Sequence, residues 1–397
     1  MLISILIFTL IGIGVGIVTG LIPGIHPNSI VLSIPIMLSF GIEPLSLLSM
    51  VTAMAVVSVV MDYIPSILLG APEEGNELSI LPGHRMLMHG YGYSAIKLTV
   101  VGGVGAIITL TLFLPLIIFL LPIIYSVINP IIPFLLIAVV AVMIAMESGR
   151  KKILGLLCFV LAGIIGILSN KIPINNTLIL FPMLSGLFGM SILLTQIKEK
   201  TSIPEQKKEE ININNRDIGN SILTGSLFGI ISGFLPGVGS SQMAVFSSLK
   251  KDEKSFLVSI GAITMANIVL SFFTIWLIGH ARSGVAKSIE FVGINLNTSM
   301  IILAISLISV GVAAFLTLRI AKHFISFMKK INYSRLNLFV LIFLNVIIII
   351  MTGPIGLLLS WLCCCLGLFS NFSGARRSHM MGVLILPTIL FYFGMTF

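Results

Sequence analysis

The sequence predicts an all-α polytopic membrane protein: two inverted-topology repeats of about five spans each, with a re-entrant hairpin broken at Pro-Gly opening each repeat. Three observations predict this class. Hydrophobic residues make up 57% of the 397-residue chain and charged residues only 9%, with a mean hydropathy of +1.15; a soluble domain is about a quarter charged. Apolar runs of roughly 20 residues, enough to cross a bilayer as helices, recur from end to end, where a β-barrel would show shorter alternating segments. A glycine-proline motif also occurs twice. GIGVGIVTGLIPG (Gly12–Gly24) matches GSLFGIISGFLPG (Gly225–Gly237), with glycines 12, 16, 20 and 24 and Pro23 each offset by 213 from their partners. A looser match aligns Gly70, Gly75 and Ser79 with Gly279, Gly284 and Ser288 at an offset of 209.

These matches divide the chain into a first membrane repeat, 1–197, a charged linker, 198–217, and a second membrane repeat, 218–397. In the first half the motif segment is followed by predicted spans 45–69, 98–121, 123–147, 153–169 and 177–197; in the second by 256–279, 298–322, 336–352, 355–369 and 380–396. The opening MLISILIFTLIGIG lacks a basic n-region and a small-residue cleavage site, so it reads as mature sequence rather than a signal peptide. The net charge of +9 comes from short basic loops, a positive-inside signature rather than a nucleic-acid patch. Arg150-Lys151-Lys152, the linker, Lys250-Lys251, Lys329-Lys330 with Arg335, and Arg376-Arg377 are therefore expected in the cytoplasm, across a cell membrane. An odd number of spans per half then turns the second half upside down.

The motif chemistry points to binding. Proline removes a donor and clashes with the preceding turn, and glycine tolerates positive φ. The backbone groups so freed cannot face lipid; they face protein or a water-filled cavity. Free N–H groups at a helix start suit an anion, and exposed carbonyls suit Na⁺. The candidate substrate-binding residues are Pro23, Gly24, His26, Pro27, Asn28 and Ser29 at one tip, and Pro236, Gly237, Gly239, Ser240, Ser241 and Gln242 at the other. The competing bland reading is that such breaks only kink packed helices.

Asp62 is the clearest ionisable residue within a predicted span and is a candidate for ion coupling, together with Asn267. The alternatives are a place near the end of its span for Asp62 and helix–helix contact for Asn267 and Asn345. Glu73, Glu74 and Arg282, at repeat-equivalent loop positions, are candidate gate or substrate charges or else solvated loop charges; His84, Arg85 and His89 share that ambiguity. Cys158 and Cys363-Cys364-Cys365 lie in apolar runs and read as packing. No H-E-x-x-H, G-x-S-x-G or complete P-loop is present, so no enzyme, cofactor or resident metal is expected; the only ions implied are Na⁺ or H⁺.

The paired GLIPGIHP and GFLPGVGSSQ, with GAPEEGNELSILPGHRM, ITMANIVLSF and RRSHMMGVLILPTILF, resemble the TctA family, the large membrane subunit of tripartite tricarboxylate transporters, in its shorter archaeal-type form. The resemblance covers nearly the whole chain. It implies an ion-driven permease for carboxylates, served by an extracytoplasmic binding protein and a small membrane subunit, with the site at Pro23-Gly24 and Pro236-Gly237. His26-Pro27 departs from the glycine usual in bacterial members, so tricarboxylate specificity does not carry over. The leading function is thus an ion-coupled secondary transporter of a small organic anion, with a homo-oligomer compatible. The alternatives are a translocase of a lipid-linked phosphate such as polyprenyl phosphate, and a non-transporting membrane scaffold or intramembrane enzyme.

Overall fold

A computed structural model describes residues 2–22, 27, 34–69, 80–174, 176–197, 204–207, 213–235, 239–247, 252–279, 281, 283–328 and 333–395. The first half runs α1 (Leu2–Leu21), α2 (Ile34–Ser39), α3 (Pro44–Met61), α4 (Tyr63–Leu69), α5 (Ile80–Met88), α6 (Gly92–Ile128), α7 (Ile132–Ala145), α8 (Lys151–Ser169), α9 (Asn176–Leu184) and α10 (Ser191–Ile197), with a π-helical stretch at Ser185–Met190. The second runs α11 (Asn215–Phe234), α12 (Ser240–Ser247), α13 (Glu253–Ile278) and α14 (Leu296–Met328). The helical segment Tyr333–Ser373 follows, divided at Gly353 into α15 (333–352) and α16 (354–373). A 3₁₀ turn, Arg377–Met381, then leads into α17 (Gly382–Tyr392). The described residues are mostly helical, contain no strand, and include eight helical segments long and apolar enough to span a bilayer.

Two spans are central. The membrane-length segments containing α3 and α13 are 83% and 89% buried, against 28% for α1 and 22% for the segment holding α15 and α16. The peripheral helices turn residues such as Leu10, Leu112, Phe119, Ile350 and Leu358 outward, the surface a lipid-facing helix requires. Glycines set how close the centre packs. Gly12, Gly16 and Gly20 of α1 lie against Met50, Met54 and Ser58–Met61 of α3. Gly225, Gly229 and Gly233 of α11 lie against Ser259, Ile263 and Asn267–Leu270 of α13. These contacts correspond position for position at the offsets of 213 and 209 read from the sequence. Small residues at fourfold spacing let two backbones approach, the usual source of helix affinity in lipid.

The rest of the packing exchanges partners between halves. α13 crosses α6, where a Cβ on Gly261 would stand 2.0 Å from the Thr99 carbonyl oxygen and one on Gly102 2.0 Å from that of Val258. α3 packs on α14, with Thr317 Oγ1 donating to Met61 Sδ at 3.3 Å. α8 packs on α17, and α16 on the π-helical stretch. Here too the contacts recur: Gly166 on Val383 matches Gly367 on Leu187, and Gly382 on Phe159 matches Gly186 on Ser360.

Several predicted boundaries move. The break expected at Pro122 falls at Asn129–Ile131 instead, because Pro115 and Pro122 are absorbed inside α6 and the chain turns only at Asn-Pro. The predicted 45–69 span is interrupted at Asp62. The segment expected at 380–396 is the 11-residue α17, short of a full span. The linker ends before Asn215 rather than at Asp217, since Asn214 Oδ1 caps α11 by accepting from the Arg216 N–H at 3.2 Å. The linker is also tied down. Lys207 N–H donates to Gly90 O at 2.8 Å, Gly92 N–H to Gln206 Oε1 at 2.8 Å, and Gln206 Nε2 to Leu87 O at 3.1 Å, while the Lys207 ammonium sits 4.6 Å over the Tyr91 ring.

The break between predicted spans 336–352 and 355–369 is where expected. Gly353 takes φ 69° and ψ −171°, a region open essentially to glycine, and Pro354 starts the next arm. Trp361 Nε1 donates to Asn345 Oδ1 at 2.9 Å. Sixteen residues of straight helix would separate them by about 24 Å, so the two arms fold back on one another.

Candidate functional site

Both glycine-faced helices end at the sites of the motif breaks. α11 stops at Leu235, whose φ −82° and ψ 122° turn the backbone to extended while its N–H still bonds Ile231 O. Of the predicted site residues, Pro23, Gly24, His26, Asn28, Ser29, Pro236, Gly237, Glu73, Glu74 and Arg282 lie outside the described residues. Pro27 is helical and buried. Gly239 is half-buried, and its carbonyl accepts from the Met243 N–H at 3.4 Å; Ser240, 1% exposed, opens α12. Ser241 and Gln242 follow in that helix.

Asp62 is 2% exposed and lies within the Pro44–Leu68 segment that is long and apolar enough to span a membrane. It follows Met61, the residue against Gly20, and so adjoins the end of the first glycine ladder. Its N–H bonds Ser58 O, and its Oδ1 accepts from Ser66 Oγ at 3.2 Å. The neighbouring Tyr63 is buried and reaches into the other half, where its hydroxyl pairs with Thr264 Oγ1 and lies 3.5 Å from Ile260 O. In the second half Asn267 is half-buried with its carbonyl at Gly233, and Ser271 Oγ lies 3.2 Å from Ser283 Oγ. α3 and α13 between them carry buried Ser46, Ser49, Thr52, Ser58, Ser255, Ser259, Thr264, Ser271 and Thr274. Hydroxyls are thus concentrated where lipid does not reach. The structure pairs Tyr63, the residue after Asp62, with Thr264, which sequence reasoning missed; the polar pair in VVMDYIPS was the available signal.

Asn345 is accounted for by the α15–α16 turn, its Nδ2 donating to Leu341 O and its Oδ1 accepting from Trp361. Arg85 pairs with Glu253 at 2.9 Å on the exposed surface, a bridge between halves worth little by itself. His84 is half-buried with Nδ1 3.4 Å from Ile67 O, and His89 is exposed. Cys363 and Cys364 are buried and Cys365 exposed, so the three thiols diverge around α16. An open groove of about 480 Å³ along α14 is lined by Leu316, Arg319, Ile320, His323 and Phe324.

A second polar cluster was not foreseen. Glu147, between α7 and α8, is buried with His379 of the 3₁₀ turn, whose Nε2 lies 3.1 Å from its Oε1. The Arg376 N–H donates to the same oxygen at 3.0 Å, and Arg376 Nε lies 3.7 Å away. Gly155 makes the room, since a Cβ there would stand 2.8 Å from His379 Nε2. Burial pushes the imidazole below its ordinary value, outweighing the opposing pull of Glu147. His379 Nδ1 is buried without a hydrogen-bond partner among the described residues. The motif RRSHMM, read for its basic pair and as part of the family resemblance, held this signal.

Residues 6–382 match the tripartite tricarboxylate transporter TctA family. The uncharacterized protein MJ1079 of Methanocaldococcus jannaschii is 33% identical over 403 residues, covering 98% of each chain. No solved structure matches. Spanning helices from end to end, and a family match across nearly all of them, make this chain a multi-pass membrane transporter component rather than an enzyme, and a member of the tripartite tricarboxylate transporter TctA family.

Proposed function

We propose that the protein is an ion-coupled permease for a small organic anion, a carboxylate, bound near the membrane midplane between the two Pro-Gly tips. The observation that carries this reading is the paired packing of α1 on α3 and α11 on α13, each ending at a Pro-Gly break beside buried polar groups. Inverted repeats with paired broken helices are a recurrent transporter design, with the breaks at the site. Pro23, Gly24, His26, Pro27, Asn28 and Ser29 form one wall; Pro236, Gly237, Gly239, Ser240, Ser241 and Gln242 form the other. Backbone N–H groups after each break hold the carboxylate. Asp62 and Asn267, next to Gly20 and Gly233 in the packing, serve the coupling Na⁺ or H⁺. The linker lies in the cytoplasm of a cell whose plasma membrane holds the protein. A small membrane subunit and an extracytoplasmic binding protein complete the assembly, as the family's tripartite description implies.

Uptake into proteoliposomes tests the proposal. Gly24→Val and Gly237→Val are expected to abolish carboxylate uptake while the protein still inserts and purifies normally. Asp62→Asn is expected to remove the dependence of uptake on the Na⁺ or proton gradient. Normal transport by both glycine variants would remove the tips as the site. Thermal stabilisation by an isoprenoid phosphate, and not by any carboxylate, would replace the substrate class.

A further inference from the structure

A guanidinium withdrawn from water calls for an anion or a complete set of acceptors. Arg377 has neither among the described residues. It opens the 3₁₀ turn after α16 and is half-buried, and its Nε donates to Asn371 Oδ1 at 2.8 Å. Its two terminal nitrogens make no hydrogen bond or ion pair there. Loss of water pulls the group down to about 10, below the ordinary guanidinium range.

Among the described residues Glu147 makes no ion pair with it; its Oε1 is engaged instead by the Arg376 N–H, Arg376 Nε and His379. The corner has further positive charge. Lys151 of α8 places its ammonium 3.5 Å from where a Cβ on Gly374 would stand. The corner thus carries Arg376, Arg377 and Lys151, and the Glu147 carboxylate pairs with Arg376 alone of the three. The Arg377 fork is also aimed, since Asn371 accepts from its Nε and donates through Nδ2 to the Ser191 carbonyl of the first half at 3.5 Å. A planar guanidinium held by its Nε presents two parallel N–H groups, the geometry that binds carboxylate or phosphate bidentately.

We propose that Arg377, oriented by Asn371, anchors an anion-binding site at this joint between the halves, separate from the Pro-Gly tips. The ligand supplies two oxygens of a carboxylate or phosphate group. The site follows the end of the Asn337–Ser373 spanning segment, where a dissolved anion and a lipid headgroup phosphate both reach it. It stands whether or not the tips carry substrate.

Thermal shift of the purified full-length protein tests it, since a ligand bound only by the folded state raises its melting temperature saturably. The probes are citrate and inorganic phosphate at constant ionic strength. Both are expected to stabilise the wild type saturably, with affinity on the order of 10-fold weaker in Arg377→Gln. Arg377→Lys, which keeps the charge without the fork, is expected to bind more weakly than the wild type. Arg150→Gln, which removes an exposed charge at the start of α8, is expected to respond as the wild type does. If Arg377→Gln does not fold, Asn371→Ala takes its place and is also expected to bind more weakly; unchanged binding overturns the proposal. So does an equal response in Arg377→Gln, or one that chloride reproduces. Nanodiscs separate the two sources: loss of the phosphate response in phosphatidylglycerol, with retention in phosphatidylcholine, assigns the seat to a lipid headgroup. Retention in both assigns it to a dissolved anion.

Discussion

At the scale of single residues, glycine acts here through the atom it lacks. Gly261→Ala would drive a methyl onto the Thr99 carbonyl, which lies in backbone and cannot yield cheaply. Overpacking of this kind costs about 1–3 kcal/mol, so the variant is expected to melt several degrees lower in detergent. Gly14→Ala, in α1 with open space around it, is expected to be neutral or slightly stabilising in the same measurement. His379 gives a pH dependence of definite sign. Its value in the folded protein lies below the ordinary 6.5, so its contribution is complete above 6.5 and is lost as pH falls below that value. The melting temperature is expected to fall between pH 7.5 and 5.5, and His379→Gln to flatten that slope. The glycines of both ladders were legible in the sequence because spacing alone marks them. Tyr63, Thr264 and His379 were not, since each matters through a partner about 200 or more residues away.

At the scale of elements, breaks were readable where two signals coincided and unreadable where only one stood. Gly353-Pro354 combines a positive-φ glycine with a proline, and the chain turns there. Pro122 has no such companion, and α6 continues for another turn and a half before Asn129-Pro130 ends it. Asp62 interrupts a helix by its position between Met61 and Tyr63, which apolar periodicity does not register. Gly353→Ala tests the turn directly. Placing a Cβ in that region costs about 1–3 kcal/mol, and the Asn345–Trp361 bond is expected to loosen with it. A rise in tryptophan quenching by aqueous iodide, relative to a Trp276→Phe background, would report the change.

At the scale of the whole molecule, the halves are not independent bodies. α6 serves α13, α14 serves α3, α8 serves α17, and α16 serves the stretch at Ser185–Met190. Each half therefore leaves apolar, glycine-lined surface uncovered without the other. Residues 1–207 or 208–397 expressed singly are expected to aggregate or be degraded, whereas the two expressed together should copurify as a complex. Recovery of either fragment alone as a stable monodisperse protein would contradict the exchanged packing. Composition made the membrane class legible, and the repeat made the pairing of α1 with α11 legible. The exchange of partners was beyond reach, because apolar surfaces in lipid carry no sequence label naming the helix that covers them. One contact of the linker has a bearing on how such a chain is assembled. Gln206 and Lys207 grip Leu87, Gly90, Tyr91 and Gly92, all of them earlier in the chain. The clasp needs nothing later in the chain than Lys207, so it can close once that residue has left the ribosome, before the last helices of the second half are in place. The starting point of the second half is then anchored to the first while the ribosome is still translating it.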